Sequence, residues 1–179
     1  YDIYFEQAGG EWTLQDSLYS TSTLYLDYGT LRTGNKNIRA RNFYTDNTNT
    51  RALYLGSSTV TITGNDFYIN LSNMTFDAGT SMIWFTPTYP NLYFSGGSGS
   101  FAINNVRFTG TSGWGYFYNY TGYPCTVNKM TFAASGDIEG NGSVTFNDIV
   151  SIGGNDGSIY GTFTFNKKLT FANSGSIYG

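Results

Sequence analysis

The sequence contains no histidine and a single cysteine, Cys125, and these two shortages exclude several kinds of chemistry. Histidine is the most common general base, so its absence argues against most acyl-transfer and phosphoryl-transfer schemes in their usual forms. One cysteine cannot form a disulfide within the chain, and a zinc site of cysteine and histidine ligands is excluded with it. We therefore predict no metal, no other cofactor and no enzymatic activity.

Charged residues and long apolar runs are also scarce. Charged residues make up 12% of the 179 residues, with 9 basic and 12 acidic side chains, against about 25% in typical domains. No concentrated basic face is available for nucleic acid, and the stretch with Arg39, Arg41 and Arg51 is predicted to be a solvated strand face. No apolar run approaches the roughly 20 residues that span a bilayer. We expect a soluble segment of a longer protein, without membrane insertion, an expectation supported by its start at Tyr1 rather than at Met.

Aromatic residues, glycine and small polar residues are abundant. The chain has 16 Tyr, 14 Phe and 23 Gly, and apolar residues alternate with threonine in short runs such as Thr59–Thr63 and Thr162–Phe165. Glycine and Asn-Gly pairs separate these runs, as is typical of tight turns. No segment has a convincing helical period of about 3.6 residues. The pattern predicts an all-β protein with many short strands.

Three segments near the C-terminus repeat one pattern: 128–140, 147–161 and 166–179. Each begins with asparagine, passes an apolar anchor and ends on an Ile-x-Gly unit. The anchors Phe132, Ile152 and Phe171 recur at intervals of about 20 residues, a length typical of solenoid coils. We predict that Ile138, Ile159 and Ile177 stack as one ladder. Four asparagines are predicted to lie at a repeat corner and bond to the next coil, unless they are ordinary exposed turn residues: Asn104, Asn128, Asn147 and Asn166.

The N-terminal half suggests a longer period. Leu24, Leu53 and Ile83 occupy similar apolar segments at intervals of about 30 residues, which is also within the range of solenoid repeats. Coils would then shorten along the chain, and five anchors would form an aromatic-rich ladder: Phe76, Phe108, Phe132, Ile152 and Phe171.

Together these repeats predict a single-stranded parallel β-helix, or β-solenoid, with coils of about 19 to 33 residues. A right-handed helix is expected because parallel β connections are right-handed. Residues 1–179 would form one continuous segment, with an aromatic-rich insertion or long loop at 112–125.

Four runs carry a resemblance to a known family: 24–35, 51–65, 74–86 and 103–111. They resemble the coils of large bacterial β-strand-repeat surface proteins, and the resemblance extends from about Trp12 to Gly179. It implies a secreted or cell-surface protein of the adhesin type, with no catalytic residue to transfer from the repeat. Similar solenoids also occur in phage tail fibres and tailspikes.

Two sets of residues are candidates for function. Asp137 and Glu139 share a strand face at roughly 7 Å, which formally suits an inverting glycosidase, but the next repeats have Ser158/Tyr160 and Ser176/Tyr178 instead. A variable outer face is the simpler interpretation. The predicted ligand-binding residues are the aromatics of the 112–125 segment, unless they pack against the solenoid or form an ordinary strand: Trp114, Tyr116, Tyr118, Tyr120 and Tyr123.

We therefore expect a structural or adhesive stalk segment of a secreted or surface-anchored bacterial protein. Its partners would be a cell-surface or glycan ligand, neighbouring repeats or copies of itself, and not nucleic acid. The alternatives are a carbohydrate-binding or carbohydrate-cleaving β-helix of the tail-fibre type and a subunit of an extracellular filament.

Overall fold

The computed structural model describes residues 1–154 and 156–179, which form a parallel β-solenoid of 23 short strands. Every strand pair is parallel, as predicted. In the described part of the chain, no helix is long and apolar enough to cross a membrane.

Sheet A has nine strands, one from each coil. They are β1 (Ile3–Phe5), β4 (Leu24–Leu26), β7 (Phe43–Thr45), β10 (Asp66–Asn70), β13 (Asn91–Ser95), β15 (Trp114–Tyr120), β17 (Ser135–Gly140), β20 (Gly157–Tyr160) and β23 (Ser176–Tyr178).

Sheet B has four strands, all in the N-terminal half. They are β2 (Glu11–Thr13), β5 (Gly29–Arg32), β8 (Arg51–Tyr54) and β11 (Met74–Asp77).

Sheet C has ten strands. They are β3 (Leu18–Tyr19), β6 (Ile38–Ala40), β9 (Thr59–Ile62), β12 (Met82–Phe85), β14 (Phe101–Phe108), β16 (Cys125–Phe132), β18 (Val144–Phe146), β19 (Val150–Ile152), β21 (Phe163–Phe165) and β22 (Leu169–Phe171). The long strands β14 and β16 continue past the corner where sheet B ends, and β18 and β19 each pair with one half of β16.

The register of sheet A measures the coil length directly. One inner column contains Ile3, Leu24, Phe43, Phe67, Leu92, Phe117, Ile138, Ile159 and Ile177. Successive members are separated by about 18 to 25 residues, one coil at a time. The predicted ladder of Ile138, Ile159 and Ile177 is confirmed within this column. The intervals are longest between Phe43 and Phe117, in the middle of the solenoid, so the prediction that coils shorten steadily from the N-terminus is wrong.

The longer period predicted for the N-terminal half is also wrong. Leu24 lies in sheet A, Leu53 in sheet B and Ile83 in sheet C, so these residues belong to three different faces. Strand alternation distinguishes inner from outer positions, but it does not say which of the three sheets a strand joins. Similar apolar segments on different faces therefore align in the sequence as if they were one coil apart.

The interior is filled by one side of every strand, with ring stacks inside sheet C. Phe85 stacks on Phe108 with ring centroids 4.8 Å apart, and Phe108 stacks on Phe132 at 4.4 Å. Ile152 and Phe171 continue this ladder in register, as predicted. Phe76 does not belong to it, because it lies in β11 of sheet B, half-buried, and Phe85 occupies the predicted place.

Glycine makes room for this ring stack where sheet A faces it. Gly115, Gly136 and Gly157 occupy one inner column of sheet A. A Cβ atom on Gly136 would lie 2.4 Å from Cδ1 of Phe132. Since a carbon atom cannot approach that closely, the ring ladder and the glycine column require each other.

Arg51 is buried, so the prediction of a solvated strand face is wrong at this position. The residue is 2% exposed, and the guanidinium donates hydrogen bonds to backbone carbonyls at the corner between sheets A and B. The acceptors include the carbonyl oxygens of Asn70 at 2.5 Å and Ser72 at 3.1 Å, which belong to the next coil. Burial lowers the pKa of Arg51. The side chain thus joins two successive coils where the backbone turns.

The corner asparagines follow the prediction in part. Asn166 donates through Nδ2 to Oδ1 of Asn147 at 3.0 Å, across one coil. Asn128 bonds instead to Oδ1 of Asn105 at 3.1 Å, and Asn104 donates to the carbonyl of Ser81 at 3.2 Å. The predicted amide bond therefore forms between Asn166 and Asn147 and is displaced to Asn105 at the step from Asn128.

Candidate functional site

A column of tyrosines runs along the outer face of sheet A. Tyrosine occupies eight of the nine in-register positions, and Glu139 occupies the remaining one. We call the eight residues the tyrosine column: Tyr4, Tyr25, Tyr44, Tyr68, Tyr93, Tyr118, Tyr160 and Tyr178.

Strand alternation places these side chains outside. In β10, β13 and β15 each column tyrosine is flanked by buried residues, such as Leu92 and Phe94 on either side of Tyr93. Because parallel strands stack about 4.8 Å apart, equivalent rings come into contact, face to face at most steps and tilted between Tyr44 and Tyr68 and between Tyr93 and Tyr118. Tyr4 and Tyr25 have ring centroids 4.7 Å apart, and Tyr68 and Tyr93 have centroids 4.5 Å apart. Stacked rings cover one another's faces, so their edges and hydroxyl groups are the parts directed to solvent.

The aromatic surface is widest at β15. Tyr116 stacks on Tyr118 at 5.7 Å, and Tyr118 stacks on Tyr120 at 5.5 Å, along a single strand. Tyr93 of the preceding coil contacts both Tyr118 and Tyr120. Two rows of rings therefore cross here, one along the strand and one along the solenoid axis.

Carboxylates accompany the rings on the same face. Tyr44 donates its hydroxyl hydrogen bond to Asp66, and Tyr120 donates to Glu139. Asn91 also donates to Asp66, at 2.8 Å. The strands of sheet A contain Asp66, Asp137 and Glu139 but neither lysine nor arginine. The surface is thus both aromatic and acidic.

These surroundings raise tyrosine pKa values along the face. Desolvation raises the pKa of Tyr118 to about 12, with further contributions from Tyr116 and Glu139. The pKa of Tyr44 is raised by burial and by its hydrogen bond to Asp66, and that of Tyr120 by burial and its bond to Glu139. The hydroxyl groups therefore remain protonated donors throughout the neutral range.

Asp137 differs from the other acids of this face. Its Oδ1 is buried and has no hydrogen-bond partner. Desolvation raises the pKa of Asp137, although hydrogen bonds from Ser158 act in the opposite direction. Asp137 and Glu139 lie on the same strand, two residues apart, as the sequence predicted. Among the described residues, no group of three or more acidic or cysteine side chains is placed to hold a metal ion.

The predicted ligand-binding residues fall into this surface. Trp114, Tyr116, Tyr118 and Tyr120 project outward from β15, while Tyr123 lies beyond the strand end and is 37% exposed. The prediction of an insertion or long loop at 112–125 is wrong, because β15 pairs in register with β13 and β17. Its regular alternation of rings and buried residues is that of an ordinary strand.

Sequence reasoning missed the other members of the tyrosine column. The signal that could have found them is an apolar residue followed by tyrosine, which recurs at Ile3-Tyr4, Leu24-Tyr25, Phe43-Tyr44, Phe67-Tyr68, Leu92-Tyr93, Phe117-Tyr118, Ile159-Tyr160 and Ile177-Tyr178. The variable spacing hides this repeat. Leu53-Tyr54 has the same pattern but lies in sheet B.

No protein-family model, no curated protein and no solved structure matches the chain. The resemblance to bacterial β-strand-repeat surface proteins therefore rests on the sequence runs alone, and the molecule itself shows a parallel β-solenoid with a tyrosine column on one face.

Proposed function

We propose that this chain is a structural and adhesive segment of a secreted or surface-anchored bacterial protein. In this proposal the solenoid is a rigid spacer, and the outer face of sheet A is its adhesive surface for extracellular glycans. The observation that carries the proposal is the tyrosine column.

The column supports a binding role because the fold does not require it. The inner side of sheet A needs apolar residues to fill the core, whereas the outer side tolerates any residue that suits a strand. Tyrosine at one outer position in nearly every coil therefore favours recognition of an extended ligand. Rows of phenolic hydroxyls, with Asp66 and Glu139 among them, can bond to sugar hydroxyls along a linear polymer.

The remaining features are consistent with a surface protein. The resemblance to β-strand-repeat proteins implies secretion, and the sparse charge with abundant Ser, Thr and Asn suits an exposed rod. Nine strands at about 4.8 Å give the segment a length of roughly 38 Å. Such a rod can hold a binding surface away from the cell.

The proposal is tested by retention of the purified chain on a panel of immobilised polysaccharides. The binding variant is Tyr93→Thr/Tyr118→Thr, because threonine is compatible with a strand. The matched control, Tyr19→Thr/Tyr54→Thr, makes the same two changes on sheets C and B. We expect retention of the wild type and of the control and at least tenfold weaker retention of the binding variant. Failure of the wild type to bind, or equal binding by both variants, would refute the proposal.

Asp137 supports a second candidate function, cleavage of a carbohydrate. A carboxylic acid with a raised pKa beside a second carboxylate is the arrangement of a glycosidase acid and its partner. Release of reducing ends from a bound polysaccharide by the wild type, and its loss in Asp137→Asn, would support this candidate. An adhesive segment would release none, and Asp137→Asn would leave its retention unchanged.

A further inference from the structure

We infer that the outer face of sheet A also binds the outer face of sheet C of a second copy of this chain, so that the solenoids associate side by side. This inference rests on the proposed function, because it supplies a second partner for the same tyrosine face.

The two faces carry opposite charge. The strands of sheet A contain three acidic residues, Asp66, Asp137 and Glu139, and no basic one. The strands of sheet C contain three basic residues, Arg39, Arg107 and Lys129, and no acidic one. This segregation makes one copy complementary to the next, and it disfavours pairing of like faces.

These charges are not neutralised inside the chain. Within residues 1–154 and 156–179 the single ion pair joins Lys167 to Asp148 at 3.4 Å. The three basic side chains of sheet C are all exposed. On sheet A, Asp66 and Glu139 accept hydrogen bonds from neutral tyrosine and asparagine groups, not from cations. Both faces thus present charged groups that an opposing face could satisfy.

The chemistry of sheet C also suits tyrosine rings. Arg107 lies over the ring of Trp84, with its guanidinium carbon 5.8 Å from the centroid. Beside it is a depression of about 510 Å³, lined by Met82, Arg107, Lys129 and others. The hydroxyl groups of the sheet A tyrosines can enter this depression, where their oxygen atoms can accept hydrogen bonds from the guanidinium and ammonium groups.

The spacing of the faces matches without adjustment. Coils repeat at about 4.8 Å in both sheets, so the outer columns of the two faces have the same step along the solenoid. The strands of sheet A average about four residues, so a face of roughly 38 by 14 Å buries about 530 Å² per copy, slightly below the standard size of stable complexes. We therefore expect weak association that weakens further with salt. Since each copy offers both faces, the contact is head-to-tail and extends beyond a dimer, into a ring or a filament.

The test is sedimentation velocity of the whole chain at high micromolar concentration. One variant impairs the sheet A face, Tyr93→Thr/Tyr118→Thr, and the other impairs the sheet C face, Arg107→Glu/Lys129→Glu. We expect the wild type to form a series of oligomers at low salt that dissociate at high salt. Each variant alone should remain monomeric, and an equimolar mixture should form a discrete heterodimer, because each retains the face that the other lacks.

Three outcomes would overturn the inference: a wild type that stays monomeric at low salt, oligomers that persist in both variants, or a mixture that contains no heterodimer. Polysaccharide retention by Arg107→Glu/Lys129→Glu distinguishes failure of the side-by-side contact from failure of the proposed function. Retention by this variant together with a monomeric wild type would leave the proposed function intact and refute the side-by-side contact. Complementary heterodimers without retention would support the contact and refute the proposed function.

Discussion

The outer columns of sheets A and C share one backbone geometry but differ in sequence. Sheet A repeats tyrosine at eight of nine positions. The outer column of sheet C changes its residue at nearly every coil: Tyr19, Arg39, Thr61, Trp84, Arg107, Thr131, Ser151 and Thr170. A folded solenoid therefore does not need a uniform outer column. The uniform outer column of sheet A therefore indicates a role other than core packing.

The largest expected losses of stability follow substitution of inner residues, and here sheets A and C should respond alike. Phe117 of sheet A and Phe85 of sheet C are both fully buried. Substitution of either by alanine should lower the free energy of unfolding by about 3–5 kcal/mol, because each leaves a large cavity. Denaturant titration measures both. A loss in sheet A several times that in sheet C would show that the two sheets differ inside as well as outside.

A smaller loss of stability is expected from a substitution where sheet A packs against the ring stack of sheet C. In Gly136→Ala the added methyl group would overlap Phe132, and overpacking of this kind costs about 1–3 kcal/mol. Gly99→Ala is the control, since a Cβ there meets no atom within 4 Å. Equal unfolding free energies for the two variants, measured by denaturant titration, would contradict the close packing described for this column.

Substitutions in the outer columns of sheets A and C should differ in how much stability they cost. Tyr93→Thr/Tyr118→Thr removes ring contacts that contribute about 0.5–1.5 kcal/mol per pair. Tyr19 has no ring partner among the described contacts and is 70% exposed, so Tyr19→Thr should change stability by less than about 0.5 kcal/mol. Thermal and denaturant unfolding check both values. A loss in the sheet A variant no larger than that of Tyr19→Thr would contradict the ring contacts described for the column.

The smallest expected change in stability occurs at alkaline pH. The folded pKa of Tyr118 is about 12, above the ordinary value of 10.0. The folded chain therefore holds this proton after the unfolded chain has released it. The associated stability is complete below pH 10 and is lost as pH rises toward 12. Denaturant midpoints across this interval should fall less steeply in Tyr118→Phe, and an unchanged slope would contradict the raised pKa.

The parts of the fold that the sequence predicts correctly are those where coil length is nearly constant. Ile138, Ile159 and Ile177 align correctly because each is followed by similar turn residues after similar intervals. Leu24 and Leu53 align falsely because both begin a Leu-Tyr-Leu segment, although they lie on different sheets. Which sheet a strand joins depends on where each corner bends, and that is decided by packing across coils, as at buried Arg51.

The sequence predicts the proposed binding surface only at its widest point. The four outward rings of β15 and Tyr123 just after it lie close together in the sequence. The remaining column tyrosines are scattered along the chain and become neighbours only through the register. Their alignment depends on corners of unequal length. Local sequence does not reveal that they form one face.

The adhesive role of the tyrosine column is tested most directly by polysaccharide retention, measured together with unfolding free energy, for Tyr93→Thr/Tyr118→Thr and Tyr19→Thr/Tyr54→Thr. We expect that both variants stay folded and that only the first loses retention. If the two retain polysaccharide equally, or if the first loses retention only because it unfolds, the tyrosine column is not the adhesive surface.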